Sequence, residues 1–167
     1  MSSSPSPLRL RELIQRLVEA EIRFVLVGGL AVNAWGYIRG TQDVDVVPDP
    51  ESENLAKLDD LLRGLGGKVD VGGRLLDSAS ISTFLRTGDR TLVRTDLGQL
   101  DVLQGLPQVP RYDELEAQAK QIDIDGLAVR VCSLEHLLEM KRASSRPRDR
   151  DDIEALEAAQ EPGAERS

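Results

Sequence analysis

The chain has 167 residues, of which 40% are hydrophobic and 30% charged, with a net charge of −8 and a pI of about 4.7. That composition fits a single globular domain with a sizeable core and excludes a disordered chain. It also excludes a surface that grips nucleic acid everywhere, and an aromatic share of 3% leaves few rings on which bases can stack.

Residues 1–7 are rich in Ser and Pro and read as a disordered N-terminus without the apolar stretch of a signal peptide. Leu8 to Glu21 reads as a helix, because Leu10, Leu13, Ile14, Leu17 and Val18 share one stripe. Ile22 to Val27 is a short apolar strand ending at Gly28-Gly29. Gly29 to Trp35 carries Ala31 and Ala34 and suits a helix packed closely on a sheet. After a loop at Gly36 to Gly40, Asp43 to Val47 is a second strand, ended by Pro48-Asp-Pro50. Glu51 to Arg63 is an amphipathic helix stopped by Gly64, Gly66 and Gly67.

Between 68 and 103 the pattern changes. Ser80 to Arg86, Thr91 to Thr95 and Gln99 to Leu103 read as antiparallel strands separated by Gly-Asp and Asp-Leu-Gly turns. Leu106 to Pro110 is a connection, and Tyr112 to Lys120 a short helix. Gln121 to Val131 is a hairpin turning at Asp125-Gly126. Ser133 caps a helix to about Ala143, and Pro147 opens another from Arg148 to Ala159. The folded unit is expected to span 8–160, with 161–167 a flexible tail. The fold class is therefore α/β (α+β), a mixed sheet flanked by helices.

The single Cys132 excludes an internal disulfide framework and fits a reducing cytoplasm. The longest nearly apolar run, Phe24 to Trp35, is too short to span a membrane. One histidine, His136, cannot make a histidine metal site alone. His136, Cys132 and Trp35 read as structural.

Three Asp-x-Asp pairs occur. Asp123/Asp125 is explained by its hairpin turn. Asp149/Asp151 falls on a helix, where i and i+2 diverge. Asp43/Asp45 sits in a strand otherwise made of Val, where carboxylates are costly unless paired or metal-bound. On a strand, residues i and i+2 share a face with Cα atoms about 6.6–6.8 Å apart. Two such carboxylates can converge on divalent ions held about 3.5–4 Å apart, as in phosphoryl and nucleotidyl transfer. Alternation alone fits an edge strand with a solvated acidic face equally well. The upstream strand ending in Gly28-Gly29 tips the balance, since such a turn also lets backbone N–H groups approach a phosphate. Asp101, an acid between apolar residues on a later strand, is the candidate third carboxylate, with Asp96 as its competitor. Arg39 and Thr41 offer a guanidinium and a hydroxyl to a triphosphate; Arg39 also fits a solvated loop.

The order strand, Gly28-Gly29, helix, then Asp43-Val-Asp45 resembles the nucleotidyltransferase superfamily. The resemblance implies that fold, two Mg²⁺ ions held by Asp43, Asp45 and Asp101, and an NTP as substrate. It implies that Gly28, Gly29, Arg39, Thr41 and Lys141 hold the nucleotide. The C-terminal element, from Leu134 through Lys141 and Arg146 to Asp149 and Asp152, resembles small transferases of the AbiEii/AbiGii toxin-like group. That implies Lys141 on the phosphates with Asp152 orienting it, and a place in a toxin–antitoxin pair with a cognate partner protein. Without the resemblance, Lys141 is equally a solvated surface lysine. Arg142, Arg146, Arg148 and Arg150 are the one dense basic cluster and the natural phosphate or nucleic-acid contact. The acceptor stays open among a tRNA 3′ end, a small-molecule hydroxyl and a protein side chain. The alternative is a nucleotide-binding or interaction module of the same fold without chemistry, such as an antitoxin-like partner. No membrane contact is expected.

Overall fold

The structure, a computed structural model, describes residues 7–37, 40–144 and 146–160. Eight strands form one mixed sheet in the order β4-β3-β5-β6-β2-β1-β8-β7. The strands are β1 (Phe24–Val27), β2 (Asp43–Pro48), β3 (Lys68–Val71), β4 (Arg74–Leu76), β5 (Arg90–Thr95), β6 (Gly98–Leu103), β7 (Lys120–Ile124) and β8 (Leu127–Val131). Among the described residues, seven α-helices accompany them: α1 (Pro7–Glu19), α2 (Gly28–Ala34), α3 (Ser52–Gly64), α4 (Ile81–Thr87), α5 (Tyr112–Gln118), α6 (Leu134–Ala143) and α7 (Pro147–Gln160). The α/β fold expected from the sequence is the observed one.

The centre of the sheet is set by β1, whose four residues are all buried. It runs antiparallel to β2, with Val27 opposite Asp45. Strand β2 runs parallel to β6, with Asp45 opposite Asp101. Period-two alternation then sorts the side chains. Val44 and Val46 turn into the core, and Asp43 and Asp45 take the other face. Helix α1 covers β2, β6 and β8 with Leu10, Leu13, Ile14 and Leu17, all buried. Helix α6 packs on α2 and α7 beside the acidic face. A buried Asn54 fastens the start of β1 to the end of β2: it accepts from the Arg23 N–H at 2.8 Å and donates to the carbonyls of Arg23 and Asp49 at 2.9 Å.

Two expectations are corrected. Ser80 to Arg86 is not a strand. Ile81 to Thr87 is helical, led by a short 3-10 turn at Ser78–Ser80 that Asp77 caps through the Ala79 N–H. Its apolar residues Ile81 and Leu85 are both buried and lie four apart, a helical spacing that outweighs the β-branched local composition. Second, Lys68–Val71 and Arg74–Leu76 form a hairpin that the sequence reading passed over, turning at Gly72 and Gly73, both with positive φ. The 120–131 hairpin turns as expected, with Asp125 and Gly126 at φ 49° and 89° and the Asp123 carboxylate accepting from the Gly126 N–H at 2.7 Å. Ser133 caps α6 by accepting from the His136 N–H at 3.1 Å. The tails expected at 1–7 and 161–167 lie outside the described residues except for Pro7, the first residue of α1. Among the described residues, no helix is long and apolar enough to cross a membrane.

Candidate active site

The register of two strands assembles the acidic centre. Asp43 and Asp45 stand two apart on one face of β2, and the parallel neighbour β6 sets Asp101 beside Asp45. One carboxylate oxygen from each of the three lies within 4.8 Å of the others. These hard oxygen donors fit Mg²⁺ or another hard divalent ion. The electrostatics agree: burial, then the charges of Asp43 and Asp101, push the Asp45 carboxyl up to about 7. Asp43 is also raised, by burial and by Asp101, against Arg90, Arg148 and a hydrogen bond from Gln99. Carboxylates that resist ionising next to one another are those a cation relieves.

The triad lies at one side of a cleft of about 300 Å³. Asp43, Asp45, Asp101 and Asp149 line it together with Arg90, Lys141, Arg146 and Arg148, four carboxylates beside four cations. Gly28, Gly29 and Thr41 line the same cleft, and the Thr41 hydroxyl donates to the Asp43 carbonyl at 3.3 Å. Leu103, Leu106, Val109, Leu137 and Met140 give the cleft an apolar wall.

Gly28 has a steric role that its sequence pattern does not show. Its φ is 71°, and a Cβ there would overlap Asp45 Oδ2 and come within 2.7 Å of Asp45 Cγ. Gly28→Ala is therefore expected to displace the central carboxylate and force a left-handed backbone on a residue that disfavours it. The variant should lose activity and about 1–3 kcal/mol of stability. Denaturant unfolding beside an activity assay checks this, and full activity in the variant would refute the packing argument.

Lys141 is a buried tether, not a solvated lysine. Its side chain is 7% exposed, and Nζ lies 3.1 Å from Asp149 Oδ1 and 3.0 Å from Asp152 Oδ2, both aspartates being fully buried. Burial opposes the charge on Asp149. Hydrogen bonds from Arg146, Ser144 and Lys141 outweigh it and hold the carboxyl well below its ordinary range. Asp152, grouped by sequence with the nucleotide contacts, is enclosed, pairs with Lys141 and does not line the cleft. Asp151 is exposed and plays no part in this network. Half of the basic cluster is committed within the fold: Arg142 pairs with Glu157 at 2.6 Å, and Arg146 with Asp149 at 3.0 Å. Arg148 lines the cleft, and Arg150 is exposed. Arg39 lies outside the described residues. Asp96, the competitor of Asp101, is exposed in the β5–β6 turn and outside the triad.

Arg90 was missed. It opens β5 and holds the Asp101 carboxylate, Nε donating to both oxygens at 2.9 Å. No local pattern marks it, since the β5–β6 register alone brings it there. Cys132 is buried, and burial pushes its thiol up to about 12, which removes it from nucleophilic chemistry. Its carbonyl accepts from the Trp35 indole N–H at 2.9 Å, a structural tie between the ends of α2 and β8.

Comparison with known proteins gives a consistent family. The model of a family described as nucleotidyl transferase of unknown function (DUF2204) matches residues 7–164. No curated protein matches the sequence. Among solved structures, the lincosamide antibiotic adenylyltransferase LnuA, lincomycin-bound, superposes with a TM-score of 0.68 at 16% identity, over 93% of this chain and 99% of that one. An antigenic nucleotidyltransferase-like protein from Paracoccidioides brasiliensis has a TM-score of 0.60 at 24% identity, over 93% and 76% of the two chains. ANT(2″)-Ia in complex with adenylyl-2″-tobramycin has a TM-score of 0.59 at 15% identity, over 89% and 86%. At these identities the structural matches show the shared fold.

Proposed function

The chain belongs to this nucleotidyl transferase family, and from that premise we propose that it moves a nucleoside monophosphate from an NTP to an acceptor hydroxyl and releases pyrophosphate. The observation that carries the proposal is the Asp43–Asp45–Asp101 triad, joined by strand register at the head of a cleft that also holds buried Lys141. Asp43, Asp45 and Asp101 would hold two Mg²⁺ ions, which would supply neutralisation of charge developing on the phosphate oxygens. The acceptor oxygen bonds to the α-phosphorus. The bond from that phosphorus to the α–β bridging oxygen breaks, and pyrophosphate takes the electron pair. Asp101 accepts the hydroxyl proton. Gly28, Gly29, Thr41 and Arg39 hold the triphosphate, and Lys141, oriented by Asp149 and Asp152, neutralises it.

A small, hydroxylated, cationic molecule is the favoured acceptor. The cleft is compact, the chain is acidic, and Arg142 and Arg146 are already paired. Solved structures of the same fold with lincomycin and with adenylyl-2″-tobramycin support that class. The second reading is the tRNA 3′ end, with residues 8–160 as a cytoplasmic AbiEii/AbiGii-like toxin domain and an antitoxin as partner. Arg148, exposed at the cleft, and the exposed Arg150 support it.

The test supplies Mg²⁺ and each α-labelled NTP with a panel of aminocyclitol and lincosamide compounds or with total tRNA, beside Asp43→Ala. Label passing to a small molecule, and lost in the variant, is expected. Label in tRNA instead would select the second reading. No transfer to any acceptor, with nucleotide still bound, would favour a non-catalytic module.

A further inference from the structure

Arg90 stands in an unusual place for a cation beside a candidate metal site. Its Nε donates to both oxygens of Asp101 at 2.9 Å, and Nη2 lies 2.8 Å from Oδ2. Asp101 is 5% exposed, so its carboxylate meets the cleft through the oxygens that the guanidinium already holds. A divalent ion shared with Asp43 and Asp45 needs an oxygen of that same carboxylate. It would also carry positive charge toward the guanidinium, and the two cations repel.

The Arg90 side chain is able to leave. It is 56% exposed and sits at the first position of β5, so moving it disturbs no core packing. We infer that Arg90 is an exchangeable counter-ion for Asp101: it keeps the carboxylate oriented in the metal-free protein and gives it up when the divalent ion binds. Arg90 is then a positioning residue that competes with the metal and lowers its affinity. This rests on the metal-site reading above.

The test measures Mn²⁺ binding without nucleotide, by the paramagnetic signal of the free ion, in wild-type protein and in Arg90→Gln, Arg90→Lys and Asp45→Asn. Binding in the wild type and its loss in Asp45→Asn would establish the site. Arg90→Gln should then bind Mn²⁺ about threefold to tenfold more tightly, the size expected from losing one charge-assisted pair. Arg90→Lys should stay near wild type. Unchanged or weaker binding in Arg90→Gln would overturn the exchange. A second measurement needs no variant to fold: the Arg90 Nε–H resonance should lose its protection from exchange when Mg²⁺ is added. A resonance that keeps its position and protection also overturns the proposal. No Mn²⁺ binding by the wild type would sink the metal-site reading itself, and the exchange with it.

Discussion

Asp43→Ala and Asp45→Asn should each reduce nucleotidyl transfer by at least about a thousandfold while the fold persists, because each removes a donor on which transition-state charge stabilisation depends. Asp45→Asn should do something further: it should make the metal-free protein more stable. The folded-state carboxyl is raised to about 7 from an ordinary 3.8. Between those values the unfolded chain releases its proton while the folded protein keeps it. Stability therefore falls as pH rises through that window, and the full cost is present above about 7. Asparagine carries no charge to bury, so its gain should be near zero below about pH 4 and level off at about 1–3 kcal/mol above pH 7. Melting curves in EDTA at about pH 5 and about pH 8 read this directly. Equal melting of the two proteins at both values would contradict the electrostatic account, whatever the activity did.

The second large effect is expected at Lys141. Replacing it with methionine keeps the length of the side chain but leaves Asp149 and Asp152 facing one another without their shared cation. Removing one partner from a buried charge cluster costs about 3–5 kcal/mol, far more than the intact cluster contributes against an apolar substitute. Arg146 and Ser144 still serve Asp149, and the loss of the shared cation falls on Asp152 as well. Lys141→Met with Asp152→Asn should recover a large part of the loss, and a double-mutant cycle in urea measures the coupling. A destabilisation below about 1 kcal/mol for the single change would show that water reaches the cluster freely. Transfer activity should fall in both variants, since neither places a cation at the floor of the cleft.

The acidic centre was legible because its signal is local. Asp43, Asp45 and Asp101 are acids in runs of Val and Leu, and each such position asks for a reason. Lys141, Asp149 and Asp152 were legible as positions only with a family pattern beside them; their burial depends on how α6 meets α7. Arg90 was not legible. It follows a Gly-Asp turn as many surface arginines do, and its meaning comes from a neighbouring strand. The segment at 81–87 was misread for a related reason. Ile, Ser, Thr and Phe have the composition of a strand, but what decides is the packing of Ile81 and Leu85 on one face. The second glycine of the Gly28-Gly29 pair is buried, as the tight turn predicts, while the first is there to clear room for Asp45.

The spacing of the site along the chain has a consequence for how the protein is made. Asp43 and Asp45 emerge early, whereas Lys141 and the aspartates that hold it lie close to a hundred residues later. At about 5–20 residues per second, the nascent chain carries the two β2 carboxylates for roughly 5–20 s before Lys141 can join them. The sheet order makes the delay unavoidable, since β1 waits between β2 and a β8 not yet synthesised. During that interval the half-built centre is a cluster of like charges with no lysine to offset it. The first cation of the site to follow them in the chain is Arg90, which arrives ahead of the Asp101 it holds and stands in until Lys141 is made.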